Sequence, residues 1–289
     1  MSDLRCWGVY RELAHSPGRE TDDAEILRAT ARELTSRGFE VELKSPDELA
    51  DVREGGGGEP PPNMFVMCER QRVVEKLSAW ERRGARVVNR PAGIRNTDRE
   101  RTIALFDRHR VPFPHSVLVD TRSEAAPASP VFRGPCWIKR GDVHATEEGD
   151  VSFAEEPSAL EAGLARLAGR GIARAVVQDH VPGDLIKFYG VSAISEEDSR
   201  PSWFQWFYHR DQVLANHPFD AEALAAAAAR AAGALSLDVY GGDAIVSPSG
   251  SISIIDLNAW PSFALFRELA ASRIAALLVS RFSRQQVLR

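Results

Sequence analysis

The chain has 289 residues, of which 44% are hydrophobic and 27% charged, enough for one large hydrophobic core or about two ordinary ones, so a small stapled scaffold is excluded. No apolar run approaches the roughly 18 residues a membrane span needs, and a formal net charge of −5 argues against holding nucleic acid by a general basic field, so any anion site must be local. Three widely spaced cysteines, Cys6, Cys68 and Cys136, read as small buried hydrophobes, and a start lacking the basic-then-apolar pattern of a signal peptide points to a reducing cytoplasm.

Residues 5–9 form a short apolar run. From Asp22, the residues Leu27, Ala31 and Leu34 recur at i, i+4, i+7 until Gly38 stops the helix, and Phe39, Val41 and Leu43 then alternate as a strand. After a Pro-containing stretch at 55–62 come a strand at 64–68, a helix carrying Val73, Leu77 and Trp80, a stop at Gly84 and a strand at Val87 and Val88. Strand–helix–strand units of this length predict a parallel sheet covered by helices. A second region begins near Pro91. Asp98 is placed to cap a helix running to about His109, which Pro112 and Pro114 end. A strand at 117–119 and a Ser/Ala/Pro-rich loop at 121–130 are followed by a strand at 136–139, a helix at 157–168 and a strand at 175–178. An alanine-rich helix at 220–235 and a final helix at 266–282 complete the chain.

The segment from Tyr240 to Asn258 carries the most chemistry. Two β-rich runs flank Ser247-Pro-Ser-Gly-Ser251, where Pro248 and Gly250 supply the fixed and permissive dihedrals of a tight turn. With the turn centred between Ser249 and Gly250, Asp243 faces Asp256, and Asn258 shares the face of Asp256 because side chains repeat every two residues. Opposed like charges about 5 Å apart destabilise a hairpin unless something offsets them. A divalent cation is the simplest remedy, and an all-oxygen set without His or Cys suits Mg²⁺. The alternative is a register slipped by one, which leaves the aspartates as solvated charges near the turn.

The hairpin's ending, Ile-Ile-Asp256-Leu-Asn258-Ala-Trp-Pro-Ser-Phe263, resembles the metal motif of the ATP-grasp family. Further pieces occur in that family's order. The segment from Asn89 to Arg99 and on to Val111-Pro-Phe-Pro114 resembles the entry to the central subdomain, and the resemblance makes Arg99 a phosphate contact. Pro135-Cys-Trp-Ile-Lys139 is similar to the strand whose lysine meets the α-phosphate. Gln178-Asp179-His180-Val181 is similar to the adenine hinge, with Asp184 implied for ribose hydroxyls and Lys187 for the transferred phosphate or an anionic substrate group. The loop from Gly141 to Asp150 stands where the family has a mobile lid. It offers His144 as a nucleotide contact but carries Glu147, Glu148 and Asp150, which repel phosphate. Arg210, at the end of an aromatic strand, is a further candidate for phosphate or a substrate carboxylate.

The implied fold is α/β, an ATP-grasp fold with an N-terminal parallel pre-domain (1–90). An ATP-grasp domain (91–289) follows, with a central subdomain of about 120–180 and a C-terminal one of about 181–289 that clamp ATP. The implied activity is a Mg²⁺- and ATP-dependent ligase that activates a carboxylate as an acyl phosphate for an amine or similar nucleophile. Lys187 and Arg210 would be catalytic, Arg99, Lys139, His144, Gln178, Asp179, His180, Val181, Asp184 and Lys187 would hold ATP, and Asp243, Asp256 and Asn258 the metal. The same fold's inositol polyphosphate kinases share the form of Asp256 to Pro261 and a Lys-Phe-Tyr like that at Lys187, so a polyol kinase with an acceptor pocket built from the arginines of 90–101 is a second reading, and an inactive nucleotide-binding protein a third. The partners expected are small molecules, a carboxylate or polyol and an amine, with no nucleic acid and no membrane; oligomeric state is open, a homodimer being one arrangement. Lysine is rare here: Lys44, Lys76, Lys139 and Lys187 are the only four among 36 basic residues. Two of them stand at phosphate positions of the resemblance, and Lys44 and Lys76 read as surface residues.

Overall fold

The computed structural model describes residues 4–15, 18–52, 60–122, 131–141, 149–195, 198 and 200–283. It begins with β1 (Arg5–Val9), α1 (Glu20–Ser36), β2 (Glu40–Lys44), α2 (Pro46–Asp51), β3 (Asn63–Val66), α3 (Gln71–Arg82) and β4 (Arg86–Val88). Each pairing is parallel and the order is β2-β1-β3-β4. β3 is buried at every position, as a parallel strand covered on both faces must be. The helix α2 shows no hydrophobic period because it is only six residues long. It is set instead by a capping box, in which Ser45 accepts from the Glu48 N–H and the Glu48 carboxylate accepts from the Ser45 N–H.

The chain then passes through α4 (Pro91–Asn96) and α5 (Arg99–Arg108) into β5 (Ser116–Asp120), β6 (Cys136–Arg140), β7 (Val151–Ala154), α6 (Pro157–Gly169) and β8 (Arg174–Asp179). These strands form an antiparallel sheet of order β5-β8-β6-β7. α6 lies on one face, where Cys136, Ile138, Ala154, Leu160, Leu167 and Val177 form a separate core. Trp137, Lys139, Val151 and Phe153 alternate with these buried residues and so point to the other face.

The last part contains β9 (Asp184–Val191), β10 (Trp203–Tyr208), α7 (Ala221–Leu235), β11 (Val239–Val246), β12 (Ile252–Ala259) and α8 (Arg267–Ser283). Its sheet is antiparallel, ordered β10-β9-β11-β12. One face, with Ile186, Phe188, Ala244, Val246, Ile254 and Leu257, packs under α7, whose alanines allow close approach. That core also includes Val9, Met64 and Val66 of the first sheet, and a second core joins α1 to α8, so first and last sheets are held by shared apolar contacts. The central sheet meets the last one through the 111–114 linker, where Pro112 O accepts from Ile254 N on the edge strand β12 at 2.7 Å.

Buried Asn89 fastens β4 to β11. Its amide donates to Val239 O at 2.7 Å and its carbonyl accepts from the N–H groups of Asp238 and Val239 at 2.8 Å each. Lys76 is also structural and not a free surface residue: its ammonium donates to Leu49 O and Ala50 O at 2.9 and 2.8 Å, closing the end of α2. Lys44 pairs with Glu42 and lies 5.6 Å from the centre of the Trp7 ring. Replacing Asn89→Ala takes the acceptor from the N–H groups of part-buried Asp238 and buried Val239 and leaves Val239 O with the Trp260 N–H alone, so urea denaturation is expected to show a loss of roughly 1–3 kcal/mol. A loss below about 0.5 kcal/mol would show that the two sheets are joined without it.

Candidate functional site

The exposed face of the C-terminal sheet carries a row of side chains at one level. Phe207 pairs with Lys187, Lys187 with Asp243 and Asp243 with Asp256 across β10, β9, β11 and β12. Asn258 lies two residues along β12 on the same face, opposite Gly241. The pairing of Asp243 with Asp256 agrees with the sequence expectation, but its origin differs. Around the turn Ser247 faces Ser251 and Ala244 faces Ile254, one residue out of the expected register. A β-bulge at Ile255 then restores the pairing of Asp243 with Asp256. The buried residues Ile254 and Leu257 are three apart, where a regular strand would bury every second residue. Without the bulge Asp256 would turn toward the core.

Two cations offset the paired carboxylates. Lys187 Nζ donates to Asp243 Oδ1 at 2.9 Å. Lys139 reaches across from the central sheet, donating to Gln178 Oε1 at 2.8 Å and to the bulge carbonyl Ile255 O at 3.3 Å. Burial pushes the Asp243 carboxyl up from its ordinary value; the charge of Asp256 adds to the rise, and Lys187 opposes it. Burial likewise lowers Lys139, although Asp256 pulls the other way. The like-charge argument from sequence is therefore answered in part by lysine. Asp243, Asp256 and Asn258 put carboxylate and amide oxygens on one sheet face, and this hard-oxygen set, with one carboxyl disfavoured as the anion, fits Mg²⁺ sharing its ligands with phosphate.

Arg99 begins α5 and is 8% exposed, with Nη1 donating to Arg140 O at 2.7 Å. Together with Lys139, Phe113, Val176, Ile255 and Asp256 it lines a small cleft between the two antiparallel sheets. Gln178 is buried, and its side chain orients Lys139 while its amide donates to Ser116 Oγ. In the segment that follows, Asp179 N–H and His180 N–H are taken by His115 O and Pro135 O at 2.9 Å each. Among the described residues no backbone carbonyl accepts from the Val181 N–H. The Asp179 carboxylate lies 3.7 Å from His115 and 3.9 Å from Arg133, away from the cleft's lysines.

Three residues stand elsewhere than expected. Asp184 is 2% exposed, and its two oxygens accept from Ala215 N–H and His217 N–H at 2.8 Å each. Burial alone would raise this carboxyl, but those backbone donors hold it below the usual range. It anchors the loop before α7 and presents no oxygen to a ribose. Arg210 is exposed and follows the end of β10, off the row to which Phe207 belongs. Asp150 is wholly buried and paired with Arg140 at 3.3 Å and Arg170 at 2.8 Å, so its charge is neutralised and does not repel phosphate. His144, Glu147 and Glu148 lie outside the described residues.

The structure adds an aromatic patch that no sequence motif marks. Trp137 and Phe153, 36% and 37% exposed, have ring centres 4.9 Å apart, and Trp137 Nε1 donates to His180 Nδ1 at 3.2 Å. Trp137 shares a strand face with Lys139 two residues on, which was legible; Phe153 required knowing that β7 pairs with β6. Among the described residues no group of three or more His, Cys, Asp or Glu could hold a metal, and no helix is long and apolar enough to cross a membrane.

No protein-family model and no curated protein matches the chain. Solved structures do. The ATP-grasp ligase PsnB bound to a minimal precursor aligns at a TM-score of 0.64 and 17% identity, over 96% of this chain and 99% of that one. A RimK-domain ATP-grasp protein from Sphaerobacter thermophilus aligns at 0.68 and 16%, over 95% and 99%. The D-alanine–D-alanine ligase of Bacillus anthracis in complex with ATP aligns at 0.72 and 10%, over 96% and 97%. The chain has the ATP-grasp fold, with a parallel N-terminal sheet and two antiparallel sheets around the cleft.

The lowered Lys139 has a signed consequence for the ligand-free protein. Below the ordinary value of 10.5 the unfolded chain binds this proton more readily than the folded one, so stability contributed by the group is present above 10.5 and lost as pH falls through the lowered value. Urea denaturation between pH 7 and 10.5 is expected to show a gain toward alkaline pH that Lys139→Met removes. An identical slope in the variant would place the titration elsewhere.

Proposed function

We propose that the chain is a Mg²⁺- and ATP-dependent ligase that joins a substrate carboxylate to an amine or similar nucleophile. The observation that carries this reading is the meeting of the Lys187–Asp243–Asp256 row with Lys139 from the facing sheet and Arg99 from the start of α5. Structurally similar proteins include ligases bound to ATP, to Mg and ADP, and to a precursor peptide with AMPPNP. We assign residues 1–90 to a pre-domain and 91–289 to the ATP-binding part, with the base at the Val181 N–H and the aromatic patch, and the phosphates at Lys139 and Arg99.

In this assignment Asp243, Asp256 and Asn258 would hold the metal, which would supply neutralisation of phosphate charge. A substrate carboxylate oxygen attacks the γ-phosphorus, the bond to the β-phosphate oxygen breaks, and ADP leaves. The nucleophile then adds to the acyl carbon, the bond from that carbon to the phosphate oxygen breaks, and inorganic phosphate departs with the proton the nucleophile gives up. The carboxylate is already ionised, so the first step needs no general base. Lys187 neutralises charge on the transferred group, Lys139 fixes the ATP phosphates, and the work is positioning and electrostatics.

The kinase reading is less well supported. It needs a basic acceptor pocket, yet Arg90 pairs with Glu81, Arg101 lies 3.9 Å from Asp98, both arginines being well exposed, and Arg99 serves the central sheet.

Purified protein with Mg²⁺ and ATP is expected to release ADP in the presence of a suitable carboxylate, and hydroxylamine to trap the acyl phosphate as a hydroxamate. A stable phosphorylated polyol would establish the kinase instead, and absence of ADP release across broad panels of carboxylates, amines and polyols would leave neither enzyme standing. Asp256→Asn is expected to lower turnover by on the order of 10²–10³-fold without unfolding the chain. Lys139→Met removes a charge-assisted contact and should weaken ATP binding about 10–100-fold by calorimetry; unaltered affinity would reassign the strand lysine.

A further inference from the structure

The carboxyl end of the parallel N-terminal sheet is tied to the candidate metal strand by one side chain. Arg11 follows β1, and its guanidinium is nearly enclosed, with 9% of the side chain exposed. Nη2 donates to Ala259 O at 2.9 Å and to Trp260 O at 2.7 Å, the two carbonyls immediately after Asn258. Nε meets Asp23 Oδ2 at 3.2 Å, and Nη1 pairs with Glu69, both carboxylates being nearly as enclosed as the arginine. The fork is thus held from one side by α1 and the segment after β3, and from the other grips the turn in which β12 ends.

That turn does not hold its shape by local preference. Trp260 and Phe263 adopt φ of +43° and +51°, a left-handed conformation that bulky residues avoid unless their surroundings impose it. Trp260 is fully buried and stacks on Phe65 of β3, with ring centres 5.9 Å apart. Its N–H donates to Val239 O at 3.0 Å. The ring contact fixes the side chain and Arg11 fixes the carbonyls, so the direction in which Asp256 and Asn258 leave the sheet is set from the N-terminal part of the chain.

We propose that Arg11 is a positioning residue for the metal pair Asp256 and Asn258: by bridging Glu69 and Asp23 to the Ala259 and Trp260 carbonyls, it holds β12's end in the geometry that binds a divalent cation. This rests on the metal assignment above and adds a residue that touches neither metal nor nucleotide. Lysine at this position keeps the charge but lacks the planar fork that serves two carbonyls and two carboxylates together.

The test uses the full chain, Mn²⁺ as a spectroscopic substitute for Mg²⁺, and ADP. Electron paramagnetic resonance titration gives Mn²⁺ affinity in the presence of ADP, and calorimetry gives ADP affinity without metal. Arg11→Lys is expected to weaken Mn²⁺ binding about tenfold, at the lower end of what loss of a supporting contact costs a metal site, while metal-free ADP affinity stays within about twofold. Glu69→Gln, which loosens the fork from its far side, should weaken Mn²⁺ in the same direction by less, and it carries the test if Arg11→Lys does not fold. Unchanged Mn²⁺ affinity in a folded variant, or equal weakening with and without metal, overturns the positioning role. Wild-type protein that binds Mn²⁺ no better than Asp256→Asn overturns the metal assignment and the role of Arg11 with it.

Discussion

Two carboxylates, Asp243 and Asp256, face each other across a hydrogen-bonded pair of strands, and much of the surrounding structure is arranged so that both can stay. Opposed like charges at this spacing repel. Lys187 meets one from the neighbouring strand, and Lys139 approaches the other from a different sheet. The Ile255 bulge turns Asp256 toward the cleft and at the same time offers its carbonyl to Lys139. A single irregularity in β12 therefore aims an acid and receives a base.

Each of the few lysines has a definite partner. Every one of the four lysines makes close contacts: Lys76 caps carbonyls, Lys44 pairs beside an indole, Lys187 meets a carboxylate, and Lys139 spans two sheets. A compact ammonium fits into the narrow space between Gln178 and the bulge, whereas a planar guanidinium presents a wider fork. Arg11 illustrates the opposite need, since its five N–H groups serve four partners at once.

Packing divides the molecule by chemistry as well as by sequence. The first and last sheets share apolar cores, which makes them one body energetically. The central sheet has its own core under α6 and turns a face with Trp137, Lys139 and Phe153 toward the rest. The contacts that cross the cleft at Lys139 and Arg99 are polar, and polar contacts can be exchanged for those of a charged ligand at little net cost. Such a boundary suits a nucleotide better than a fused hydrophobic seam would.

The alternation of strands and helices, the parallel first sheet and the hairpin were legible in the sequence because each follows from local periodicity and turn chemistry, whereas the pairing of the hairpin's aspartates depends on a bulge that neither encodes. Lys139 was legible for the same reason, as a charge ending an apolar strand. Other features depended on which segments meet. The capped turn at Pro46 to Asp51 has no period to detect, and the bulge at Ile255 looks in sequence like one more β-branched residue. Asp184 reads as a hinge-side acid until Ala215 and His217 bring their N–H groups to it from 31 and 33 residues away. Arg11 lies 248 residues from the carbonyl it holds. Sequence determined which groups could carry charge chemistry; only the tertiary structure decided which charges were already satisfied, because a partner's identity depends on distance in space, which local pattern does not encode.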